Sequence, residues 1–412
     1  MFEQVLELNR TTVNVPESIL VAQFAQAAFA SLDPHTYLVW PKEVSDFNQA
    51  MNNEFTGIGV EISKRQGRLT VGSLLLDTPA YRAGLDVDDV IEAVNGLETT
   101  DLPLSCAVTK IKGPKGTPVT LTIRRDGVPE PFDVSITRDV IEVPTLQGWQ
   151  RQSTGKWEHI IDSNDKIGYV RLTSFGRETD EDFEAVVNQL ERNGMRGLVL
   201  DLRWNPGGHL DTAVNIVDMF IKEGLIVYTK PAYGFTPQYE LAHTQGTHGD
   251  YPLVILVNSS SASASEIVSG ALSDDHYKRA IIVGNRTHGK GSVQMIRAEG
   301  LGGAQLKFTM AYYHLPSGQR VSSRDAMEKI GRKDWGVGPD VKVPLRTDEQ
   351  RELLRVEREN AVLIQADREA NHTEASKPTL AETLESDPQL AIGLMVVKAQ
   401  LAERGELLAT GD

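Results

Sequence analysis

Between the apolar run "YPLVILVN" and the helix-like "EIVSGAL", the segment "SSSASASEIV" (residues 259–268) sets five serines in seven positions. A serine at a strand-to-helix turn meets free backbone N–H groups and the positive end of the helix dipole, which favour an alkoxide and a tetrahedral oxyanion. Three serines, Ser261, Ser263 and Ser265, fit that description equally well. Serine attacks an amide only with a base. Lys290 in "GKG" offers one, because an amine between low-dielectric walls loses its preference for the charged form. Ser with Lys is a known variant of the hydroxyl–base arrangement. A third strand end, "RWNPGG", supplies glycines whose backbone amides can approach a substrate without a Cβ in the way. The phosphate-loop pattern fails: Gly284 and Gly289 fit it, but Gly291 follows Lys290 where Ser or Thr is required.

The flanking elements form an α/β pattern. From about residue 145, "KIGYVRLTSF", "MRGLVLDLRW", "YPLVILVN" and "RAIIVGN" read as strands, separated by the helices "TDEDFEAVVNQLERNG", "HLDTAVNIVDMFI" and "SASEIVSGALSDD". Alternation of this kind predicts a mainly parallel, buried sheet, with sites at the carboxyl ends of its strands. A Thr cap opens the first of these helices, and "AQLKFTMAYYHLPSGQRV" reads as a hairpin. Residues 1–54 read as helical, with "LDPHTYLVWP" as a turn. Beyond Thr347, "DEQRELLRVERENAVLIQADREA" reads as a long solvated helix suited to packing or oligomerisation.

Residues 55–140 differ. "FTGIGVEISKRQGRLTVGSLL" alternates like paired strands, "DDVIEAVNGLET" leads into an Asn-Gly turn, "LSCAVTKIKG" is helical and "TPVTLTIRRDGVPEPFDVSITR" closes as a hairpin. This order resembles a PDZ module, with Asp88 where Gly is usual. The resemblance makes Thr56, Gly57, Ile58 and Gly59 the loop that receives a peptide's terminal carboxylate. Strand addition to an open sheet edge would be the binding mode.

Taken in order, "VRLTSF", "LVLDLRWNPGG", "VNSSSASASEI", "THGKGSVQ", "YYHLPSG" and "WGVGPDV" resemble the C-terminal processing (tail-specific) peptidases. The resemblance spans about residues 20–345. It implies an α/β multi-domain chain: a mainly parallel, crotonase/ClpP-like protease core (141–346), an inserted PDZ-like domain (55–140), and helical segments at the N-terminus (1–54) and C-terminus (347–412). It implies an ATP-independent serine endopeptidase that needs no cofactor and recognises unfolded or tail-exposed polypeptides. Among the serines it selects Ser263 as nucleophile, with Lys290 as base and Gln294 orienting the amine. Ala264, Gly207 and Gly208 would supply the oxyanion hole. Glu266 and Thr287 become supports, Thr287 by bonding to Lys290 and Glu266 by capping the helix. Three departures stand out. "LSDDHYKRA" is longer than usual, His288 stands where an aromatic residue is common, and Trp204 replaces a polar residue and is expected to pack or shape the cleft. His209 reads as incidental.

Composition limits the alternatives. Fifty-seven acidic against 42 basic residues give a net charge of −15, which disfavours a nucleic-acid partner. No apolar run is long enough to span a membrane, and no metal-binding His spacing occurs. No leader is visible, so the chain is either cytosolic or begins after a removed leader; the resemblance implies an extracytoplasmic location. The single cysteine, Cys106, reads as a buried small apolar residue. The helical termini are candidate homo-oligomer elements. Two other functions compete: a non-catalytic PDZ scaffold, which would lack one of the Ser/Lys pair, and an acyl-CoA enzyme, which needs neither that pair nor a PDZ-like module.

Overall fold

The protein is described by a computed structural model covering residues 2–231, 234, 236–298, 300, 302–362 and 377–406. Three helices, α1 (Phe2–Thr11), α2 (Glu17–Ala30) and α3 (Val44–Met51), open the chain, with a short strand β1 (Tyr37–Val39) between the second and third. β1 is a departure from the turn expected there. Asp33 organises the approach to it: its carboxylate accepts from the His35 N–H, the Thr36 hydroxyl and Thr309 Oγ1.

The β-rich unit follows a two-stranded ribbon, β2 (Glu54–Gly57) paired with β9 (Asp139–Glu142). Between these lie β3 (Val60–Arg65), β4 (Arg68–Leu74), α4 (Pro79–Arg82), β5 (Val90–Val94), β6 (Leu97–Glu98), α5 (Leu104–Ile111), β7 (Pro118–Arg124) and β8 (Phe132–Thr137). The sheet order is β3-β4-β5-β7-β8, with β6 on β5, so β3 is an edge. Asn95 and Gly96 both have positive φ at the β5–β6 turn, the geometry that an Asn-Gly pair adopts without strain. Leu69, Val71, Ile91, Leu121 and Ile123, at alternate strand positions, close a core of their own. Cys106 is exposed, not buried: it lies on the outer face of α5, whose buried positions are Ala107 and Ile111.

In the second half, β10 (Leu146–Gln147), the β11 (Gln150–Arg151) and β12 (Trp157–Glu158) pair, and β13 (Ile160–Asp162) lead into the main sheet. Its parallel members are β14 (Ile167–Leu172), β15 (Gly197–Asp201), β18 (Leu253–Val257), β19 (Ile281–Gly284) and β22 (Val341–Lys342), in that spatial order. α6 (Thr179–Arg192), α7 (Leu210–Asp218) and α8 (Ala264–Ser273) cover one face. Thr179 does not cap α6 as expected. It is the first helical residue, and its hydroxyl accepts from the Gly176 N–H and pairs with Thr145.

A second sheet of β1, β16 (Gly224–Pro231), β17 (Tyr239–Ala242), β20 (Ser292–Arg297) and β21 (Gln305–His314) lies beside the first. β21 is one long strand whose hairpin partner is the preceding β20. The hairpin expected within residues 304–321 reduces to a single bridge, His314 to Arg320. A short α9 (Arg324–Glu328) follows.

The other face of the main sheet is closed by the C-terminal helices. α10 (Thr347–Ala361) buries Leu353 and Val356, so it is packed and not simply solvated; residues 363–370 of the helix expected there lie outside the described residues. α11 (Leu380–Ser386) leads to α12 (Pro388–Glu403), whose Leu390, Leu394, Val397 and Leu401 meet Tyr169, Val199, Val254 and Leu256. Alternate residues of β18 therefore face opposite layers: Ile255 and Val257 meet the α6–α8 core, Val254 and Leu256 the α12 core. Each such side chain contributes about 1.5–3 kcal/mol by burial.

A buried ion network ties α12 to the sheet. Arg203, 1% exposed at its side chain, donates to Asp201 and to both oxygens of Asp387, each contact within 2.7–3.1 Å. Burial opposes the charge on Arg203, but Asp201 and Asp387 outweigh it and hold the pKa above its usual value. Arg203→Ala would leave two buried carboxylates without their cation. It is expected to lower the unfolding free energy by about 3–5 kcal/mol, read from urea denaturation; a loss below ~1 kcal/mol would mean that the network is hydrated and weak.

Candidate active site

β15, β18 and β19 are spatial neighbours, so the loops at their carboxyl ends meet: residues 202–209 after β15, 258–263 after β18 and 285–291 after β19. Together with β20 and β21 they enclose a cavity of ≈ 440 Å³. Ser263, Ala264, Lys290, Gln294, Gly207 and Gly208 all line it.

The structure separates the three serines. Ser261 Oγ donates to the Leu202 carbonyl and accepts from the Asn258 N–H; Ser265 Oγ donates to the Asn205 carbonyl; both residues are fully buried. Those two hydroxyls fasten the turn to the neighbouring loop, and Ser263 alone of the three lines the cavity. Ser263 is the N-cap of α8 and has φ 55° and ψ −113°, a conformation that costs a non-glycine residue on the order of 1–3 kcal/mol.

Gly207 packs directly on this turn. A Cβ built on it would stand 2.8 Å from Ser263 Cβ and 3.0 Å from the Ala264 nitrogen, and its φ of 102° also disfavours a side chain. Of the two glycine amides, Gly207's is committed to Asn205 Oδ1 at 2.8 Å. The amides of Gly208 and Ala264 have no hydrogen-bond acceptor among the described residues, so they are the pair free to receive an oxyanion. Asn205, 0% exposed, also donates to the Leu172 carbonyl, joining the ends of β14 and β15.

The lysine loop is fixed through Glu266. This buried carboxylate accepts from the Ser263 N–H (2.9 Å) and Lys290 N–H (2.8 Å) on one oxygen, and from Thr287 Oγ1 (2.5 Å) and the Gly289 N–H (2.6 Å) on the other. Burial pushes its pKa up, against the pull of these four donors. Thr287 therefore bonds to Glu266 and not to Lys290, and its oxygen accepts from the Val337 N–H. Glu266 does cap the helix start, and it also bridges to the lysine loop. Tyr313 completes the frame, donating to the Lys290 carbonyl at 2.8 Å. The flanking glycines are needed as spacing: a Cβ on Gly289 would meet the Ser322 carbonyl oxygen, and one on Gly291 that of Val321.

The Lys290 amine is half-buried, and burial followed by the charge of Lys307 lowers its pKa, with Glu266 opposing. Among the described residues no hydrogen bond joins Lys290 Nζ to Ser263 Oγ, and Gln294 Nε2 donates to Ser292 Oγ. The three side chains share a cavity without being engaged. His288 is exposed, its N–H donating to the Ser261 carbonyl. Trp204 lies outside the lining, its ring within 5.6 Å of the Arg171 and Arg203 guanidiniums. His209 does line the cavity. Sequence reading assigned no part to Asn205, Lys307 or Tyr313. Asn205 and Tyr313 lie inside the motifs "RWNPGG" and "YYHLPSG", and their types alone signal no role.

In the β-rich unit, Gly57, Ile58 and Gly59 border a groove of ≈ 50 Å³ between β3 and α5, lined also by Phe55, Val60, Ile62, Val108, Ile111 and Lys112. Thr56 lies outside that lining; its hydroxyl bonds to Gln49. No helix among the described residues is long and apolar enough to cross a membrane.

A mainly parallel sheet with a hydroxyl, an amine and free amides at its strand ends, joined to a PDZ-like unit, describes a serine-type peptidase. Residues 166–343 match Peptidase family S41 and residues 70–125 a PDZ domain. A carboxy-terminal-processing protease of Bartonella bacilliformis is 36% identical over 330 residues, 78% of this chain and 71% of the relative. A carboxyl-terminal-processing protease of Synechocystis is 34% identical over 290 residues, 70% of this chain and 65% of the relative. Among solved structures, a photosystem II D1 C-terminal processing protease aligns at TM-score 0.46 and 27% identity, over 82% of this chain and 86% of that one. The chain belongs to peptidase family S41.

Position 263 offers a test of backbone strain apart from chemistry. Glycine normally destabilises an ordered position by about 0.5–1 kcal/mol relative to alanine. Here the order inverts: Ser263→Gly is expected to be more stable than Ser263→Ala by on the order of 1 kcal/mol in thermal unfolding. An alanine variant of equal or greater stability would show that the turn is unstrained.

Proposed function

We propose that the protein is a C-terminal processing endopeptidase in which Ser263 is the nucleophile and Lys290 the general base. The observation that carries this reading is the shared cavity: the serine of a strained helix-start turn, a partly buried amine with a lowered pKa, and two amides without acceptors. Neutral Lys290 takes the Ser263 hydroxyl proton as Oγ attacks a peptide carbonyl. The oxyanion is received by the Gly208 and Ala264 N–H groups. The amine group leaves with the proton from Lys290, forming an acyl-enzyme. Lys290 then activates the water that releases the acyl group. Gln294 orients the amine once Lys290 has turned onto Ser263. Glu266 and Thr287 hold the two loops, and Gly207 provides the close packing between them.

The substrate is a polypeptide with an exposed C-terminus. It would add to the open edge of β3, with its last side chain in the groove against α5 and its carboxylate at Gly57, Ile58 and Gly59. Thr56 belongs to the ribbon that leads into this loop. An extracytoplasmic location and self-association through the helical termini complete the reading. Cell fractionation and sedimentation check them, and a cytosolic monomer would remove both.

Cleavage of an unfolded protein with an apolar C-terminal tail tests the chemistry. Ser263→Ala and Lys290→Ala are each expected to lower kcat by at least about 10³-fold, while Ser265→Ala keeps substantial activity in the folded fraction. Activity in Ser263→Ala with none in Ser265→Ala would reverse the choice of serine. Amidating the substrate's terminal carboxylate is expected to raise KM. An unchanged rate at every substrate concentration would reject tail recognition.

A further inference from the structure

The cavity of Ser263 and Lys290 holds a second lysine, Lys307, to which the reaction above assigns no part. It lies on β21, opposite Ile296 of β20 and Tyr37 of β1. Its Nζ stands 5.5 Å from the centroid of the Tyr37 ring and 5.7 Å from that of Phe47. Among the described residues, no hydrogen bond or ion pair reaches this half-buried ammonium, and no Asp or Glu lines the cavity. In a chain of net charge −15, such a pocket is unexpected.

An ammonium over aromatic faces is stabilised as the cation. The lysines seated over a ring among the described residues are Lys112, Lys230 and Lys307, not Lys290. A neighbouring positive charge disfavours the protonated form of an amine, and of two amines in one cavity the proton held less firmly leaves first. We propose that Lys307 is a positioning residue acting through Lys290: its ammonium, seated on Tyr37 and Phe47, repels a proton from the amine that shares its cavity. This role presupposes Lys290 as the base.

The groups facing the pair come from several elements. Glu266, from α8, favours a charged Lys290, but each of its oxygens already takes two donors. His35, ahead of β1, has its pKa lowered by burial and then by Lys290, which favours the neutral ring. Asp33 accepts from the His35 N–H, Thr36 and Thr309. His288 on the lysine's own loop is exposed. Tyr313, from β21, is held neutral by burial. Burial lowers the pKa of both lysines, and Lys290 in addition responds to the charge on Lys307.

The sign of the effect is fixed. Removing the Lys307 charge raises the Lys290 pKa, so the neutral amine appears only at higher pH. The test compares the pH dependence of kcat/KM for peptide hydrolysis in wild type, Lys307→Met, Lys307→Gln and Lys307→Arg. It is paired with NMR titration of the 13C-dimethylated lysines, the Lys290 resonance being assigned by its loss in Lys290→Arg. In the two neutral variants the acid limb and the Lys290 titration are both expected to move up by on the order of one pH unit, with the rate recovering at high pH. Lys307→Arg keeps both near wild type. A uniform fall in rate at every pH with an unmoved Lys290 titration would overturn the role and leave Lys307 as packing. Hydrolysis surviving in Lys290→Ala would remove the base itself. An inactive Lys290→Ala with an unmoved titration in the neutral variants removes only the role of Lys307.

Discussion

One buried carboxylate holds the site together. Glu266 is on the first turn of α8, and its two oxygens collect donors from its own turn and from the loop after β19. A carboxylate with no solvent exposure is costly unless its oxygens are satisfied. Here three backbone N–H groups and a hydroxyl satisfy them, and the geometry of those four donors sets the distance between the serine turn and the lysine loop. Thr287 extends the constraint to Val337, so the segment that leads into β22 is tied to the same point. Because each donor also needs an acceptor when buried, the loop and the carboxylate stabilise one another.

Sheet topology explains why these loops can meet. Parallel neighbours deliver their carboxyl ends to the same edge, and β15, β18 and β19 are consecutive in the sheet. Asn205 fastens the first loop to β14 and to the serine turn, since its carbonyl accepts from Ser265 Oγ and the Ala262 N–H. Two residues earlier, Arg203 is locked to Asp387 at the start of α12. The C-terminal helices thus do more than cover an apolar face. They also anchor, through Asp387, the residue two positions ahead of Asn205.

Much of this was legible in the residues. Apolar runs with intervening amphipathic helices give the parallel sheet, because the side-chain periods of strand and helix differ and both are visible in a single chain. The turn glycines, the Asn-Gly pair and the Ser/Lys motifs are local signals, and the elements that carry them stand where expected. Long-range information was less accessible. Lys307 and Tyr313 lie on β21, a strand that pairs with β1, β16 and β20 at once, and no local pattern encodes partners so distant. The same is true of Asp387. Which serine faces the cavity depends on hydrogen bonds to Leu202 and Asn205, some sixty residues away. Thr179 shows a different limit: a residue of capping type beside a helix start used its hydroxyl for Gly176 and Thr145 instead.

The lysine is held at one end only. Its N–H is bound by Glu266 and its carbonyl by Tyr313, so the main chain at residue 290 is fixed on both sides. Its Nζ has no partner among the described residues, and four side-chain torsions separate it from that anchored backbone. A charged amine in a partly dry cavity would be drawn toward an acceptor, whereas a neutral one can turn freely and accept the proton of a hydroxyl. With the backbone fixed on both sides, the movement that would bring the amine to Ser263 is confined to a side chain. A rigid frame built on a buried carboxylate and an amine whose pKa is lowered by burial and then by the charge of Lys307 are compatible with the proposed role of Lys290. The carboxylate fixes the backbone of the lysine loop, and the second lysine shares the cavity of its side chain.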